Sequence, residues 1–163
     1  MQSRLVVAGV VVGALMVAAC GSGAQSTASA SPSTQPSPSP AANGTTIAVA
    51  SNAKLGQILV DAAGKTIYLF AADTGSSSTC YTTCAQIWPP VLTSGPPQAG
   101  TGVNASLLGT TTRNDGKTEV TYAGHPLYYF VQDKAMGDTT GQGVNGFGGL
   151  WWVVSPSGAA VHS

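Results

Sequence analysis

The hydrophobic and polar positions of the chain repeat one phrase sixty residues apart. Residues 64–73 read GKTIYLFAAD, and residues 124–133 read GHPLYYFVQD. In each phrase a glycine precedes an apolar run that contains Tyr and Phe two positions apart, and an aspartate closes it. Residues two apart share one face of a strand, and both faces are apolar here. Each phrase therefore predicts a central strand that is covered on both sides.

The repeated positions have distinct predicted structural roles. Glycine accepts a positive φ, so the two glycines permit the turns that enter the strands. Each aspartate follows its strand, where a carboxylate can accept backbone N–H bonds and fix the next loop. The positions that make up the repeat motif are Gly64, Tyr68, Phe70, Asp73, Gly124, Tyr128, Phe130 and Asp133.

Turn signals define the remaining elements. Residues 56–73 predict a hairpin that turns at 62–65, and residues 107–133 predict a three-stranded meander with turns at NDGK and AGHP. The segment GLWWVVSP predicts a closing strand that Pro156 ends.

Helical periodicity is confined to one short segment. CYTTCAQIW suits a helix of about two turns, which the following Pro89 and Pro90 would stop. We therefore predict a mainly β fold, with two pseudo-repeated hairpin or meander units packed as one small domain. At most one short helix is expected, around Cys80–Trp88.

The N-terminal segment predicts export. Arg4 is the only charge before an apolar run that ends in small residues, so residues 1–19 are typical of a signal peptide. An uncleaved transmembrane helix is the alternative, but it needs about 20 apolar residues and a stop-transfer flank. The sequence VAAC, residues 17–20, resembles the lipobox of bacterial lipoproteins. The resemblance implies that Cys20 becomes the first mature residue and carries a lipid, with palmitate as one acyl chain, on the extracytoplasmic face of the cell membrane.

Composition separates a linker from a folded domain. Residues 20–44 comprise the predicted lipidated cysteine and a Ser-, Pro- and Ala-rich linker without charge or aromatic residue, so we expect disorder there. All eleven aromatic residues follow, which predicts a tandem-repeat β domain at 45–157 and a tail at 158–163. The six basic and six acidic residues give zero net charge. A nucleic-acid partner is therefore not expected, because phosphate binding needs a basic face.

The repeated phrase also carries a family resemblance. IYLFAAD and LYYFVQD resemble the Tyr-x-aromatic-x-x-Asp motif of the bacterial family called the secreted repeat of unknown function. The likeness continues through CYTTCAQIWPPVL and the segment from GHPLYYF to GLWWVV, so it covers about residues 55–156. It implies tandem repeats in a lipoprotein outside the cytoplasm, and it implies no established activity, substrate or catalytic residue.

The cysteines are the first candidates for chemistry. Once Cys20 carries a lipid, Cys80 and Cys84 remain, and an oxidising compartment predicts a structural disulfide between them. A redox-active pair is an alternative, although three residues separate the cysteines instead of the two of thioredoxin-like motifs. A Cu(I) site formed with His125 and Met136 is another alternative. His125 beside Pro126 suits an exposed turn, so no metal and no other cofactor is predicted.

Other residue patterns do not favour catalysis. The chain has no Gly-x-Ser-x-Gly sequence. Asp73 and Asp133 could be imagined as a glycosidase pair, but their equivalent positions favour loop anchoring. The segment after Asp138 lacks the spacing of an EF-hand calcium loop. We therefore predict a protein that is not an enzyme.

The tryptophan residues favour a binding protein over an enzyme. Trp88, Trp151 and Trp152 are candidates for an exposed surface that stacks on sugar rings or contacts a protein. The alternative is that all of them lie in the core. The sequence as a whole predicts a cell-envelope lipoprotein that acts as a binding or structural module, with a cell-wall glycan or an envelope protein as candidate partner. The alternative is a redox or copper-handling lipoprotein that uses Cys80 and Cys84.

Overall fold

The structure is a computed structural model that describes residues 44–162. The predicted signal peptide, Cys20 and the linker up to residue 43 lie outside these residues. The described part is mainly β with one short helix, which confirms the predicted fold class. No helix within residues 44–162 has the length and apolarity to cross a membrane.

In chain order the elements are β1 (Thr46–Asn52), β2 (Gly56–Asp61), β3 (Tyr68–Phe70), α1 (Thr83–Ile87), β4 (Gln98–Ala99), a 3₁₀ turn (Ala105–Leu107), β5 (Leu108–Thr112), β6 (Thr118–Tyr122), β7 (His125–Pro126), β8 (Asn145–Gly146) and β9 (Gly149–Val153).

The strands form three small sheets. Their orders are β2-β1-β4, β3-β9-β8 and β5-β6-β7. The last is the predicted meander. Its first turn contains Gly116 at φ 78° and its second contains Gly124 at φ 84°, a region that glycine enters without penalty.

The two halves of the domain, residues 46–93 and 108–155, repeat the same backbone pattern. Antiparallel pairing joins β1 to β2 and, equivalently, β5 to β6. The Leu59 N–H donates to Val154 O at 2.8 Å, and the Val120 N–H donates to Val91 O at 2.8 Å. Each of these bonds runs from one half to the other at the equivalent position, so the halves are related by an approximate two-fold axis.

The central strands are exchanged between the halves. Strand β3 of the first half pairs with β9 of the second half, so Tyr68 lies opposite Val153. Tyr128 of the second half lies opposite Pro90 of the first half. Tyr68 and Tyr128 also face each other, and each N–H donates to the other's carbonyl at 2.9 Å. The repeated phrases therefore meet at the centre of the domain.

The predicted hairpin around Gly64 needs correction. The turn exists, because the Asp61 N–H donates to Lys65 O at 3.0 Å and Gly64 has φ 77°. Beyond it, the two segments share only the Val60–Thr66 bridge. The chief partner of β2 is β1, which precedes it, and β3 leaves to pair with β9.

The second phrase also departs from the prediction of a regular strand. After β7, Tyr128 is the only residue of this phrase that forms bridges. The segment beside it contains Pro89 and Pro90, which have no N–H to donate, so a continuous ladder cannot form. The equivalent segment beside β3 is β9, which has no proline and pairs over three residues.

The core has two layers, one on each face of the central phrases. One layer contains the side chains of Tyr68, Phe70, Tyr128 and Phe130. The other contains Ile67, Leu69 and Leu127, with Tyr129 packed against it. This arrangement confirms that both faces of each phrase are covered.

The C-terminal residues belong to the fold more fully than the predicted tail implies. Gly158 at φ 87° reverses the chain, and the Val161 N–H then donates to Val153 O at 2.9 Å. Val161 packs against the first core layer. The folded part therefore extends past residue 157.

Candidate functional site

Two tyrosine–aspartate pairs connect the halves at the centre of the molecule. The Tyr68 hydroxyl donates to Asp133 Oδ2 at 2.6 Å, and the Tyr128 hydroxyl donates to Asp73 Oδ2 at 2.6 Å. Each tyrosine thus binds the aspartate of the other repeated phrase. Hydrogen bonds to a carboxylate are short and roughly twice as strong as those between neutral groups.

The second oxygen of each carboxylate holds a loop. Asp73 Oδ1 accepts bonds from the Thr79 N–H and hydroxyl, both at 2.7 Å. Asp133 Oδ1 accepts from the Thr140 N–H at 2.9 Å and from the Thr140 hydroxyl at 2.5 Å. Each aspartate therefore fixes its own loop with one oxygen and the opposite half with the other.

Burial keeps the tyrosine hydroxyls protonated. It raises the pKa of Tyr68 far above its usual value, and the hydrogen bond to Asp133 raises it further. Burial also raises the pKa of Tyr128, with additional contributions from Glu119 and Asp73. A protonated tyrosine can donate to a carboxylate and is a poor nucleophile.

An aromatic stack lies beside these pairs. Its rings follow the order Phe70, Trp151, Trp88 and Phe130, with centroid distances of 4.0, 4.0 and 4.2 Å. Each phenylalanine contacts the tryptophan of the other half. The stack therefore repeats the exchange that the tyrosine–aspartate pairs show.

The three tryptophans that were candidates for an exposed binding surface are buried or half-buried. Trp88 and Trp151 are 1% and 0% exposed, because their faces are covered by the stack, so neither can bind a ligand on the surface. Trp152 is half-buried and lies edge-on to His162 with ring centroids 4.6 Å apart. The exposed large apolar residues of the described part are others: Ile87, Leu92, Met136, Phe147 and Leu150.

Cys80 and Cys84 form the predicted disulfide. Cys80 is 0% exposed and Cys84 is 6% exposed. A disulfide offers no thiolate, so in this state neither residue is a soft copper ligand. The other suggested ligands differ in position, because Met136 is exposed and packs on Gly64 whereas His125 lies in β7. Within residues 44–162, no group of three His, Cys, Asp or Glu side chains has the arrangement of a metal site.

A buried ion pair adjoins the disulfide. Arg113 Nη1 donates to Glu119 Oε2 at 2.6 Å and to Ser78 Oγ at 2.8 Å, and Nη2 donates to Cys80 O at 2.6 Å. Ser78 Oγ lies 2.7 Å from the Tyr128 hydroxyl. A continuous polar chain therefore links the ion pair to one tyrosine–aspartate pair.

Glu119 is the titratable member of this ion pair. Burial raises the pKa of Glu119 to about 7, against the lowering effect of Arg113. For Arg113, burial lowers the pKa and Glu119 raises it, with a net increase. The arginine therefore stays charged. Glu119 Oε1 is buried and has no hydrogen-bond partner among the described residues, which is consistent with an incompletely stabilised carboxylate.

The sequence predictions did not include Arg113, Glu119 or Ser78. A signal for Glu119 exists, because aligning the equivalent strands β2 and β6 places it where the first half has Ile58. A charged residue at a position that is apolar in the other repeat indicates a buried ion pair. No comparable signal identifies Ser78, which lies in an irregular loop.

The described part has at least two surface depressions. One, of about 470 Å³, is polar and is lined mainly by Asn52, Lys54, Asp138 and Thr140. The other is a groove of about 320 Å³ between residues 94–97 and the strands β5 and β6. Neither contains the tyrosine–aspartate pairs.

Comparison with known proteins identifies the family and no closer relative. Neither the curated proteins nor the solved structures contain a match to the chain. The model of one family, described as the secreted repeat of unknown function, matches residues 49–92 and 109–155. The two matched segments correspond to the two halves of the domain and together cover more than half of the sequence. The chain therefore belongs to the family of the secreted repeat of unknown function.

Proposed function

We propose that the chain is a lipid-anchored, non-enzymatic module on the outer face of the cytoplasmic membrane, where it binds a component of the cell envelope. The lipobox-like sequence at residues 17–20 supports the anchor. The family's description as secreted supports a place outside the cytoplasm. A cell-wall glycan or an envelope protein is the candidate partner.

The use of the repeated side chains within the fold carries the non-enzymatic part of the proposal. Tyr68 with Asp133 and Tyr128 with Asp73 hold the halves together. Asp133 is 6% exposed, and both of its oxygens accept bonds from the protein. A general acid or base must reach the proton that it transfers, and these groups are engaged in structural bonds instead.

The redox or copper-handling alternative has weaker support. A copper site would require thiolates at Cys80 and Cys84, and a redox pair would require a disulfide that a second thiol can reach. These residues form a disulfide in which Cys80 is 0% and Cys84 is 6% exposed. We therefore retain the binding module as the proposed function.

Metabolic labelling tests the anchor. Cells that express the full chain are grown with radioactive palmitate, and the chain is compared with Cys20→Ser and with the neighbouring control Ser22→Ala. The native chain and Ser22→Ala should incorporate the label, and Cys20→Ser should not. Incorporation that does not depend on Cys20, or no incorporation at all, would refute the anchor.

Two measurements on the displayed protein test the remaining claims. Protease added to intact protoplasts should degrade the chain, and survival of the chain would contradict its display outside the membrane. Purified cell-wall sacculi should sediment the full Cys20→Ser chain, or photo-crosslinking in intact cells should attach the native chain to an envelope protein. Failure of both binding measurements would refute the binding role.

A further inference from the structure

The two halves differ in how the outer edge of their first strand is covered. In the first half, residues 98–101 run along β1 in the parallel direction. The N–H groups of Gln98 and Gly100 donate to Thr45 O at 3.0 Å and Ile47 O at 2.7 Å. The Val49 N–H donates to Thr101 O at 2.9 Å. Thr45 O, Ile47 O and the Val49 N–H, which lie on this edge, are therefore satisfied within the domain.

The equivalent edge belongs to β5. Residues that bond to β6 alternate with residues that point outward. The Ala123 N–H donates to Leu107 O, and the Arg113 N–H donates to Lys117 O, so the odd-numbered residues face β6. The backbone groups of Leu108, Thr110 and Thr112 consequently point away from the sheet.

All but one of these outward backbone groups lack hydrogen bonds within residues 44–162. The Leu108 N–H donates to Ala105 O at the end of the 3₁₀ turn. Its carbonyl and both backbone groups of Thr110 and Thr112 have no hydrogen-bond partner in the described part of the chain. By the register of the two hairpins, Leu108 O and the Thr110 N–H correspond to Ile47 O and the Val49 N–H, which residues 100–101 bind in the first half.

The path of the chain explains the difference. After the first half, residues 94–97 cross toward β1, and residues 98–101 then cover its edge. After the second half, the Ser155 N–H donates to Ala159 O and the chain turns back to Val153. The segment that would cover β5 by symmetry is therefore used elsewhere.

We propose that the outer edge of β5 binds an extended, uncharged peptide segment of a partner protein, which adds as a parallel strand. This proposal rests on the binding role proposed above and names the kind of partner. The molecule itself shows what fits such an edge, because the segment on β1 is extended and contains no charge. Main-chain hydrogen bonds supply the affinity in this mode of recognition.

The surroundings of the edge agree with such a peptide. The strand β5 reads LGTTT and has neither the charge nor the proline with which proteins usually protect an open edge. Residues 94–97 line one side of the groove of about 320 Å³, and Gly109 and Thr110 of β5 line it as well. No charged side chain lines that groove, so an uncharged peptide has no unpaired charge to bury there.

A synthetic peptide tests the proposal. The probe is SGPPQAGTG, the sequence of residues 94–102, added to the isotopically labelled full chain carrying Cys20→Ser. We expect NMR shifts centred on the amides of Thr110 and Thr112, with slower hydrogen exchange there. A control peptide N-methylated at the glycine equivalent to Gly100 lacks one donor and should bind about tenfold more weakly.

Variants of the protein supply the second arm. Thr110→Pro removes an outward N–H without removing a bond to β6, and it should weaken binding about tenfold. Thr110→Val keeps the backbone and the side-chain shape, and it should bind within about twofold of the native chain. Unchanged near-UV circular dichroism of both variants verifies the fold.

Several results would overturn the proposal. These are no binding at millimolar peptide, shifts confined to β1, or equal binding by both Thr110 variants. Protection of Thr110 and Thr112 that grows with protein concentration would assign the edge to a second copy. Protection without peptide at every concentration would assign it to the chain's own N-terminal segment. The palmitate and protease experiments stand apart from these outcomes, so failure of this proposal is distinguishable from failure of the proposed function.

Discussion

Removing the Tyr68 hydroxyl should destabilise the domain substantially. The hydroxyl is buried, donates to Asp133 Oδ2 at 2.6 Å and accepts the Gly141 N–H at 3.3 Å. Phenylalanine preserves the ring contacts with Trp88 and Phe130. The carboxylate oxygen loses the only protein donor that it has among the described residues. A hydrogen bond to a charged group contributes about 1.5–3 kcal/mol, so Tyr68→Phe should lower the free energy of unfolding by about 2–3 kcal/mol.

A double-mutant cycle separates this bond from other effects. Asp133→Ala also removes both bonds to Thr140, but this loss occurs in the single and the double variant and cancels in the coupling energy. We expect a coupling between Tyr68→Phe and Asp133→Ala of about 1.5–3 kcal/mol. The double variant should therefore be more stable than the sum of the single effects implies.

Urea unfolding followed by tryptophan fluorescence measures these energies, since Trp88 and Trp151 are buried in the native core. Constant m-values are required if the midpoint shifts are to report stability. Tyr81→Phe is the control, because the Tyr81 hydroxyl accepts a bond from the exposed Asn114 N–H, and it should change stability by less than about 0.5 kcal/mol. A coupling below about 0.5 kcal/mol would refute the exchanged pairs as a stabilising link.

Three other perturbations examine the packing, the ion pair and the disulfide. Gly141→Ala should lower the free energy of unfolding by about 1–3 kcal/mol, because a Cβ there would lie 2.7 Å from the Trp88 ring. Gly146→Ala is the control: a Cβ at Gly146 meets nothing within 4 Å, so this variant should be nearly neutral in urea unfolding. Glu119 has a native pKa of about 7 against 4.5 for the free side chain, so the folded state binds its proton more tightly and stability should fall as pH rises from about 5 to 8. Glu119→Gln should remove that part of the pH dependence, and parallel unfolding profiles of the two proteins would contradict the assignment. Replacing both Cys80 and Cys84 by alanine should lower stability by about 2 kcal/mol, the chain-entropy contribution of so short a loop, and dithiothreitol should lower the melting temperature of the native chain but not of the variant.

The sequence predicted the mainly β fold class, the burial of the two repeated phrases and the disulfide because these depend on short-range patterns. The continuous apolar runs of the two phrases indicated apolar residues on both faces, and the structure covers both faces. The predicted oxidising compartment, with Cys80 and Cys84 as the remaining thiols, indicated the bond between them. The partners of β2 and β3 were not predictable in this way, because a hairpin with the next segment and one with the preceding segment have the same local pattern.

The exchange of tyrosines and aspartates depends on tertiary structure. Because the phrases are nearly identical, the positions alone do not show whether Tyr68 pairs with Asp73 or with Asp133. Geometry could have narrowed the choice, since five residues of extended chain span about 16 Å and a hydrogen bond within one phrase would need a reversal. The burial of Trp88 and Trp151 was equally undetermined, because large apolar rings occur both in cores and on binding surfaces.

The exchanged pairs also bear on how such a protein can arise and diverge. A single half would leave its tyrosine hydroxyl and its aspartate carboxylate without the hydrogen-bond partners that the other half provides. Two separate copies of one ancestral half could satisfy every such bond as a symmetric homodimer, so fusing the genes changes stoichiometry and leaves the geometry intact. Fusion then frees each half to mutate alone. In the present chain one half contains a cystine loop, and the other contains a glutamate–arginine pair whose arginine binds Cys80 O of that loop.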